Sequence, residues 1–275
     1  MRAHRPRRLA RPRPLAAHAG SRRLADRGSS VNVLRIATYN LHKGRGLDGR
    51  VNVARIADVI AEIDADVVAL QEVATPGDDP QAFDQLRYFA ERLGYHAAFG
   101  RARSGRGCVY GNATLSRRPF ASVSPLNITV PRRTGRGALR TDLALDAGVL
   151  HVFNVHLGLG YLERRDQANR LFEDDALKAP DLSGARIVLG DFNEWVKGQV
   201  TKSLRREFGL TDLEAHVPRL RAFPHGLPLL HLDHIYYDHH LRVQAARTHR
   251  SRLALIASDH LPLVADFVFE GDAGV

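Results

Sequence analysis

At 275 residues, 44% of them hydrophobic, the chain can bury a core for one or two domains, and one is favoured. Its single cysteine, Cys108, excludes an internal disulfide and a thiolate-rich metal site, and no apolar run reaches the roughly 18 residues of a membrane helix. The net charge of +10 is concentrated: residues 1–30 hold nine arginines, no lysine and one acid (Asp26), so the other 245 residues carry 31 basic against 29 acidic side chains. A soluble protein with a cytoplasmic address and no obligate protein partner is expected.

Residues 1–30, rich in Arg, Pro, Ala and Gly, lack the large apolar residues needed to fold and are expected to be a disordered tail preceding one domain over 31–275. Ser21-Arg22-Arg23 resembles a twin-arginine signal, but no apolar segment follows it, which argues against export. A solvated tail, a polyanion-binding arm and a translated upstream stretch all remain open.

Val33 to Tyr39 reads as the first strand, and Val53, Ile56, Ile60 and Ile63 repeat at helical spacing. Val67 to Leu70 is a short continuous apolar run of the kind found in buried strands, ending at Gln71-Glu72. A second helix is predicted over about 81–93, with Phe83, Leu86, Phe89, Ala90 and Leu93 on one face and Gly94 as its stop. Short strands follow over 95–99, 112–115, 121–130, 139–145 and 149–155, closely enough spaced to favour antiparallel pairing. A helix over about 162–177, a strand over 187–190 and a short helix through Val200, Leu204 and Phe208 come next, then strands over 232–237, 241–246 and 263–269. The expected class is α/β: mixed β-sheets covered by helices, which packed face to face would form a four-layer α/β sandwich.

The stretch Ile187-Val-Leu-Gly-Asp-Phe-Asn-Glu-Trp195 organises the chemistry. Its apolar run stops at Asp191, and in extended chain Asn193, two residues on, points the same way, so both side chains could reach one ligand. Gly, Asp and Asn also form turns, which is the bland alternative. Other strand-like segments end the same way, at Asn40, Glu72, Asn112, Asn154 with His156, Asp233, and Asp259 with His260. This set is rich in hard oxygen donors without a thiolate, which suits Mg²⁺ or Mn²⁺ and the hydrolysis of phosphoesters.

Thr38-Tyr-Asn-Leu-His-Lys-Gly44, Leu70-Gln-Glu-Val73, Gly111-Asn-Ala-Thr-Leu-Ser-Arg117, Asn154-Val-His-Leu157, Gly190-Asp-Phe-Asn193, Leu232-Asp-His-Ile-Tyr236 and Ser258-Asp-His260 together resemble the ordered motifs of the endonuclease/exonuclease/phosphatase superfamily. The resemblance spans about residues 33–269. It implies a DNase-I-like sandwich of two packed mixed sheets flanked by helices, and divalent-metal-dependent phosphoester hydrolysis. Carried over by position, it implies Glu72 as principal metal ligand with Asn40 as companion and Asp259 at the metal or water site. It further implies His260 paired with Asp233, Asp191 and Asn193 at the attacking water and phosphate, and His156 at the phosphate or leaving group. Asn112, Asn154 and Arg140 are substrate-binding candidates, Arg140 as a phosphate clamp or a solvent-facing side chain. His231, His234, His239 and His240 look like a metal cluster, but strand alternation should split them between faces and leave most at the surface.

Within the superfamily the chain looks most like small bacterial hydrolases of unsettled substrate. It has Leu230-His-Leu-Asp-His-Ile where abasic-site endonucleases carry a Gly-Trp-Arg segment. A phosphodiesterase or endonuclease is the first reading, with DNA as substrate and Arg101, Arg103, Arg106, Arg132, Arg133, Arg136, Arg164 and Arg165 as phosphate contacts. Phospholipids or other small phosphodiesters are the rival. A non-catalytic binding protein is disfavoured because every motif position is occupied.

Overall fold

The computed structural model describes residues 33–79, 81–173, 177–178, 182–194, 198–217, 220–224 and 230–270; the Arg-rich segment 1–30 and Trp195 lie outside these. In chain order the elements are β1 (Val33–Asn40), α1 (Val53–Ile63), β2 (Val67–Pro76), α2 (Gln85–Leu93), β3 (His96–Gly105), β4 (Cys108–Ser116), β5 (Ser122–Asn127), β6 (Gly137–Leu145) and β7 (Gly148–His156). Then come α3 (Tyr161–Glu173), β8 (Ala185–Asp191), α4 (Gln199–Arg206), β9 (Thr211–Asp212), β10 (Asp233–Tyr237), β11 (Leu241–Thr248), α5 (Ala254–Ala257) and β12 (Leu263–Phe269).

The strands form two six-stranded sheets, ordered β11-β12-β1-β2-β4-β3 and β5-β6-β7-β8-β10-β9. Within each sheet one pair is parallel, β1 with β2 and β7 with β8, and the remaining pairs are antiparallel. Each parallel pair is joined through a helix, α1 in the first sheet and α3 in the second, as a parallel connection requires. The carboxyl ends of these pairs are where open α/β sheets bind ligands.

Three apolar clusters define the layers. Ile36, Val67, Leu143, Val152, Ile187, Leu189 and Phe267 meet between the sheets. Tyr39, Ile56, Ile60 and Phe89, with Ala254 and Ala257, seal the first sheet against α1, α2 and α5. Phe153, Val188 and Phe192 pack with Leu171, Val200 and Leu204 of α3 and α4 on the second. Successive residues of β8 face different clusters, Val188 outward and Ile187 and Leu189 inward, which is why a strand buried on both faces reads as an unbroken apolar run. Each such fully buried side chain contributes about 1.5–3 kcal/mol.

The helix ends follow local chemistry. Asn52 caps α1 by accepting from the Arg55 N–H at 3.0 Å, and Asp64, in the left-handed region at φ 53°, closes it. The second helix starts at Gln85, four residues later than its apolar spacing suggests. Asp84 is its cap, and Asp79 holds the N–H groups of Gln81 and Ala82 in a preceding turn. Phe83 therefore lies outside the helix, 56% exposed. The β3–β4 hairpin is longer than its apolar residues indicate: Gly105 pairs with Cys108 across a two-residue turn in which Arg106 and Gly107 both have positive φ. Among the described residues no helix is long and apolar enough to cross a membrane.

Candidate active site

Register brings the motif residues to one edge. In the second sheet His156 at the end of β7 pairs with Asp191 at the end of β8, and Asp191 pairs with Asp233 at the start of β10, so three neighbouring strands deliver His156, Asp191 and Asp233 at one level. In the first sheet Asn40 pairs with Gln71 at the carboxyl ends of β1 and β2. Between Leu70 and Val73 the ladder shifts register and Glu72 adopts φ 59°, a bulge that re-aims its side chain. Asp259 and His260 arrive in the turn before β12, where the Ser258 hydroxyl donates to the Asn40 carbonyl at 2.8 Å.

Asp191 is the meeting point. Its Oδ2 accepts from Asn40 Nδ2 at 2.9 Å and lies 3.6 Å from His156 Nε2 and 3.8 Å from His260 Nε2, while its Oδ1 accepts from the Asn193 N–H at 3.0 Å. Burial, and then the Asp233 charge, push its pKa up to about 6 against the opposing pull of His260, Asn40 and Asn193. His260 Nδ1 lies 2.7 Å from Asp233 Oδ2. Burial disfavours the imidazolium, but Asp233, Asp191 and Asp259 outweigh that and raise its pKa to about 10, so it is a cation at neutral pH. His156 behaves oppositely: burial first, then the Arg136 guanidinium at 3.4 Å from its Nδ1, hold its pKa well below the usual histidine range.

Burial also opposes ionisation of Glu72, yet its pKa falls to about 2 because His156 and Lys43 outweigh the desolvation. With His156 neutral near pH 7, the lasting contribution is the Lys43 ammonium, 2.6 Å from Glu72 Oε2. Lys43 sits in a turn in which His42, Lys43 and Gly44 all have positive φ, held by Asn40 Oδ1 accepting from the His42 N–H at 3.0 Å. His42 Nδ1 in turn lies 3.6 Å from Asp259.

The chain from residue 37 to 260 matches the model of the Endonuclease/Exonuclease/phosphatase family. The chain belongs to that family. It is 30% identical over 244 residues to the uncharacterized protein YbhP of Escherichia coli K12, a match covering 84% of this chain and 95% of YbhP. Its fold is similar to an endonuclease/exonuclease/phosphatase from Beutenbergia cavernae, with TM-score 0.70, 24% identity and 87% and 72% of the two chains covered. It is similar also to the human nocturnin catalytic domain with bound sulfate, with TM-score 0.66, 22% identity and 86% and 94% covered. Membership makes this chain a hydrolase of the endonuclease/exonuclease/phosphatase class with the fold of two packed mixed sheets.

The three substrate-binding candidates are each held by other protein groups, and Asn112 also lines the recess that contains Glu72, Arg136 and His156. Asn154 is fully buried between the sheets, where its Nδ2 donates to the Leu70 and Ala113 carbonyls and its Oδ1 accepts from Gln71 Nε2 at 2.8 Å. Asn112 Nδ2 is likewise committed to the Gly137 and Asn154 carbonyls. These amides fasten one sheet to the other. Arg140 is buried in a bidentate pair with Asp142, whose carboxylate also meets His151 and the Ser122 hydroxyl. Asn193 also departs from extended geometry: its φ of 50° makes Asp191-Phe192-Asn193 a turn, and its Nδ2 donates to the Leu157 carbonyl. Of the four clustered histidines, His234 is buried against Asp212, because strand alternation sends it with Tyr236 to the helix-covered face of the second sheet beside Phe192. Arg164 is also buried, donating to the Gly158 and Leu159 carbonyls.

Sequence reasoning left Lys43 without a role and placed Arg136 only among general phosphate contacts. Their signal was position, inside Asn40-Leu-His-Lys-Gly44 and one residue before β6. Members of the superfamily generally use divalent cations. Glu72 fits one, being an ionised carboxylate aimed at the shared edge beside a cationic ammonium. Among the described residues no three His, Cys, Asp or Glu side chains form a ready cage.

Proposed function

We propose that the protein is a cytoplasmic, divalent-cation-dependent phosphodiesterase, with nucleic acid as its first-choice substrate. The observation that carries this reading is the convergence on one buried Asp191 carboxylate of Asn40 from β1, His156 from β7 and His260 from the turn before β12. Glu72, with Asn40 and Asp259, would hold Mg²⁺ or Mn²⁺, which when bound supplies charge compensation to the phosphoryl and leaving oxygens. Asp191, with its pKa near 6, is ionised at neutral pH and suited to take the proton of the attacking water. Asn40 and the Asn193 N–H fix the orientation of that carboxylate. His260, kept cationic by Asp233, balances charge growing on a phosphoryl oxygen, and the Arg136 guanidinium beside His156 adds a second fixed positive group.

Lipid phosphodiesters are a second reading, favoured by three exposed apolar side chains just beyond His156: Leu159, Tyr161 and Leu162, at 68%, 57% and 59% exposure. The two are separated by assaying single-stranded and duplex DNA, phospholipid vesicles and a soluble diester, bis(4-nitrophenyl) phosphate, each with Mg²⁺, Mn²⁺ or chelator. Metal-dependent cleavage of DNA supports the first reading. Cleavage of lipid without DNA supports the second, and no turnover of any substrate overturns both.

A further inference from the structure

We infer that the cleft beside the β3–β4 hairpin is a subsite for the flank of a single nucleic-acid strand whose scissile phosphate lies at Asp191 and Glu72; the inference rests on the phosphodiesterase reading and names its substrate class. The cleft encloses about 700 Å³, more than one phosphate fills. It adjoins the reacting edge: Arg103 and Tyr110 line both this cleft and the narrow recess that holds Glu72, Arg136 and His156. Lys43, at the inner end, reaches Glu72 directly.

Its chemistry is one-sided. Lys43, Arg45, Arg103 and Arg106 line it and no carboxylate does. Arg45, Arg103 and Arg106 make no ion pair among the described residues, and the three meet in one cleft. Lys43 is balanced by Glu72, but the three arginines repel one another without a counter-charge in the lining, and a polyanion relieves that repulsion. Asp79, which packs against Gly107, holds the hairpin tip but is not part of the lining.

Aromatic rings distinguish a nucleic-acid strand from a bare polyanion. Phe83 lines the cleft 56% exposed, steadied at its edge by Tyr88 at 5.5 Å between centroids. Tyr110 carries the Arg103 guanidinium 4.5 Å from its ring centre, forming a stacked cationic shelf. An open aromatic face among cations suits an unpaired base between phosphates. Acyl chains would find only scattered apolar contacts here. The hairpin that carries Arg103 and Arg106 is the segment whose length the apolar pattern does not reveal, as expected of strands extended for a ligand rather than for the core.

The test uses the full chain and two variants outside the reacting edge, Arg45→Ser/Arg106→Ser and Phe83→Ala. Binding of a fluorescent single-stranded oligonucleotide is followed by anisotropy in chelator over a salt series, and bis(4-nitrophenyl) phosphate turnover is followed with Mg²⁺. The double variant should bind the oligonucleotide about ten-fold more weakly, with a log–log salt slope shallower by about 1.4, since each phosphate contact on a single strand contributes about 0.7. Phe83→Ala should weaken binding about five-fold or more with its salt slope unchanged. Both variants should turn over the one-phosphate substrate within two-fold of the unsubstituted chain. Unchanged oligonucleotide binding in the double variant would overturn the inference while leaving the phosphodiesterase reading standing. Loss in the double variant but not in Phe83→Ala would overturn the assignment to nucleic acid in favour of a plain anion site. Weakened binding in both variants, in a chain that hydrolyses nothing, would support the cleft and defeat the phosphodiesterase reading instead.

Discussion

His260 Nδ1 lies 2.7 Å from Asp233 Oδ2, and the other oxygen of that carboxylate is buried without a hydrogen-bond partner among the described residues. A fully buried carboxylate supported on one side depends on its cation, and the cation depends on it. Asp233→Asn keeps the shape and removes the charge, so His260 should lose much of its raised pKa. We expect kcat to fall by about 10²-fold, as general acid–base groups contribute, and the alkaline fall in activity to move towards neutrality. The Asp233→Asn/His260→Gln double variant should be little slower than the slower single variant. Losses that add in log rate would show that the two residues act separately.

The pH profile follows from two groups with opposite requirements. Asp191 must be ionised to accept a proton, so activity should rise as pH climbs through about 6, where its carboxyl titrates. His260 must be protonated, so activity should fall as pH climbs through about 10. A kcat/KM profile of a soluble diester should therefore be a broad bell. A profile with its acid limb near 4 would contradict the raised Asp191.

Glu72→Gln preserves the side-chain outline but removes the charge that Lys43 now neutralises. Hydrolysis should drop by at least about 10²-fold and the rise in Tm on adding Mn²⁺ should vanish, since that rise reports binding to the folded state. The Tm without metal should change by only a few degrees. Retained stabilisation by metal would remove Glu72 from the cation site.

Much of the architecture was legible because burial on both faces leaves continuous apolar runs, as in Val67–Leu70 and Ile187–Leu189, and because polar residues interrupt those runs where the strands reach the common edge. The β3–β4 extension was silent because Arg101–Gly105 and Cys108–Gly111 pair beyond the core and bury no apolar face. Asn154 and Glu72 look alike in sequence, each a polar residue ending an apolar run. Only packing separates them, one fastening the two sheets and the other turned outward by a bulge. Arg140 and Asp142, at i and i+2 on one strand face, carried a usable sign of their pairing.

Gly190 precedes Asp191 with φ 139°, and a Cβ there would lie 2.0 Å from the Val155 carbonyl oxygen of the neighbouring strand. Gly190→Ala should cost about 3 kcal/mol or more through strain and clash, lowering Tm by several degrees and displacing Asp191. Chemical denaturation compared with Gly209→Ala, which has positive φ but open space for a Cβ, isolates the clash. Equal losses in the two variants would contradict the close approach of β7 and β8.

In the proposed mechanism one buried carboxylate, Asp191, activates water beside a cation held by Glu72. The most direct measurement is the initial rate of bis(4-nitrophenyl) phosphate hydrolysis at pH 8 by the unsubstituted chain and by folded Asp191→Asn, each with Mn²⁺ and with chelator. Turnover by the unsubstituted chain with Mn²⁺ is expected, with loss of that turnover in chelator and a rate at least about 10²-fold lower for Asp191→Asn even with metal. Equal rates for the two proteins with Mn²⁺, or turnover undiminished by chelator, would contradict it.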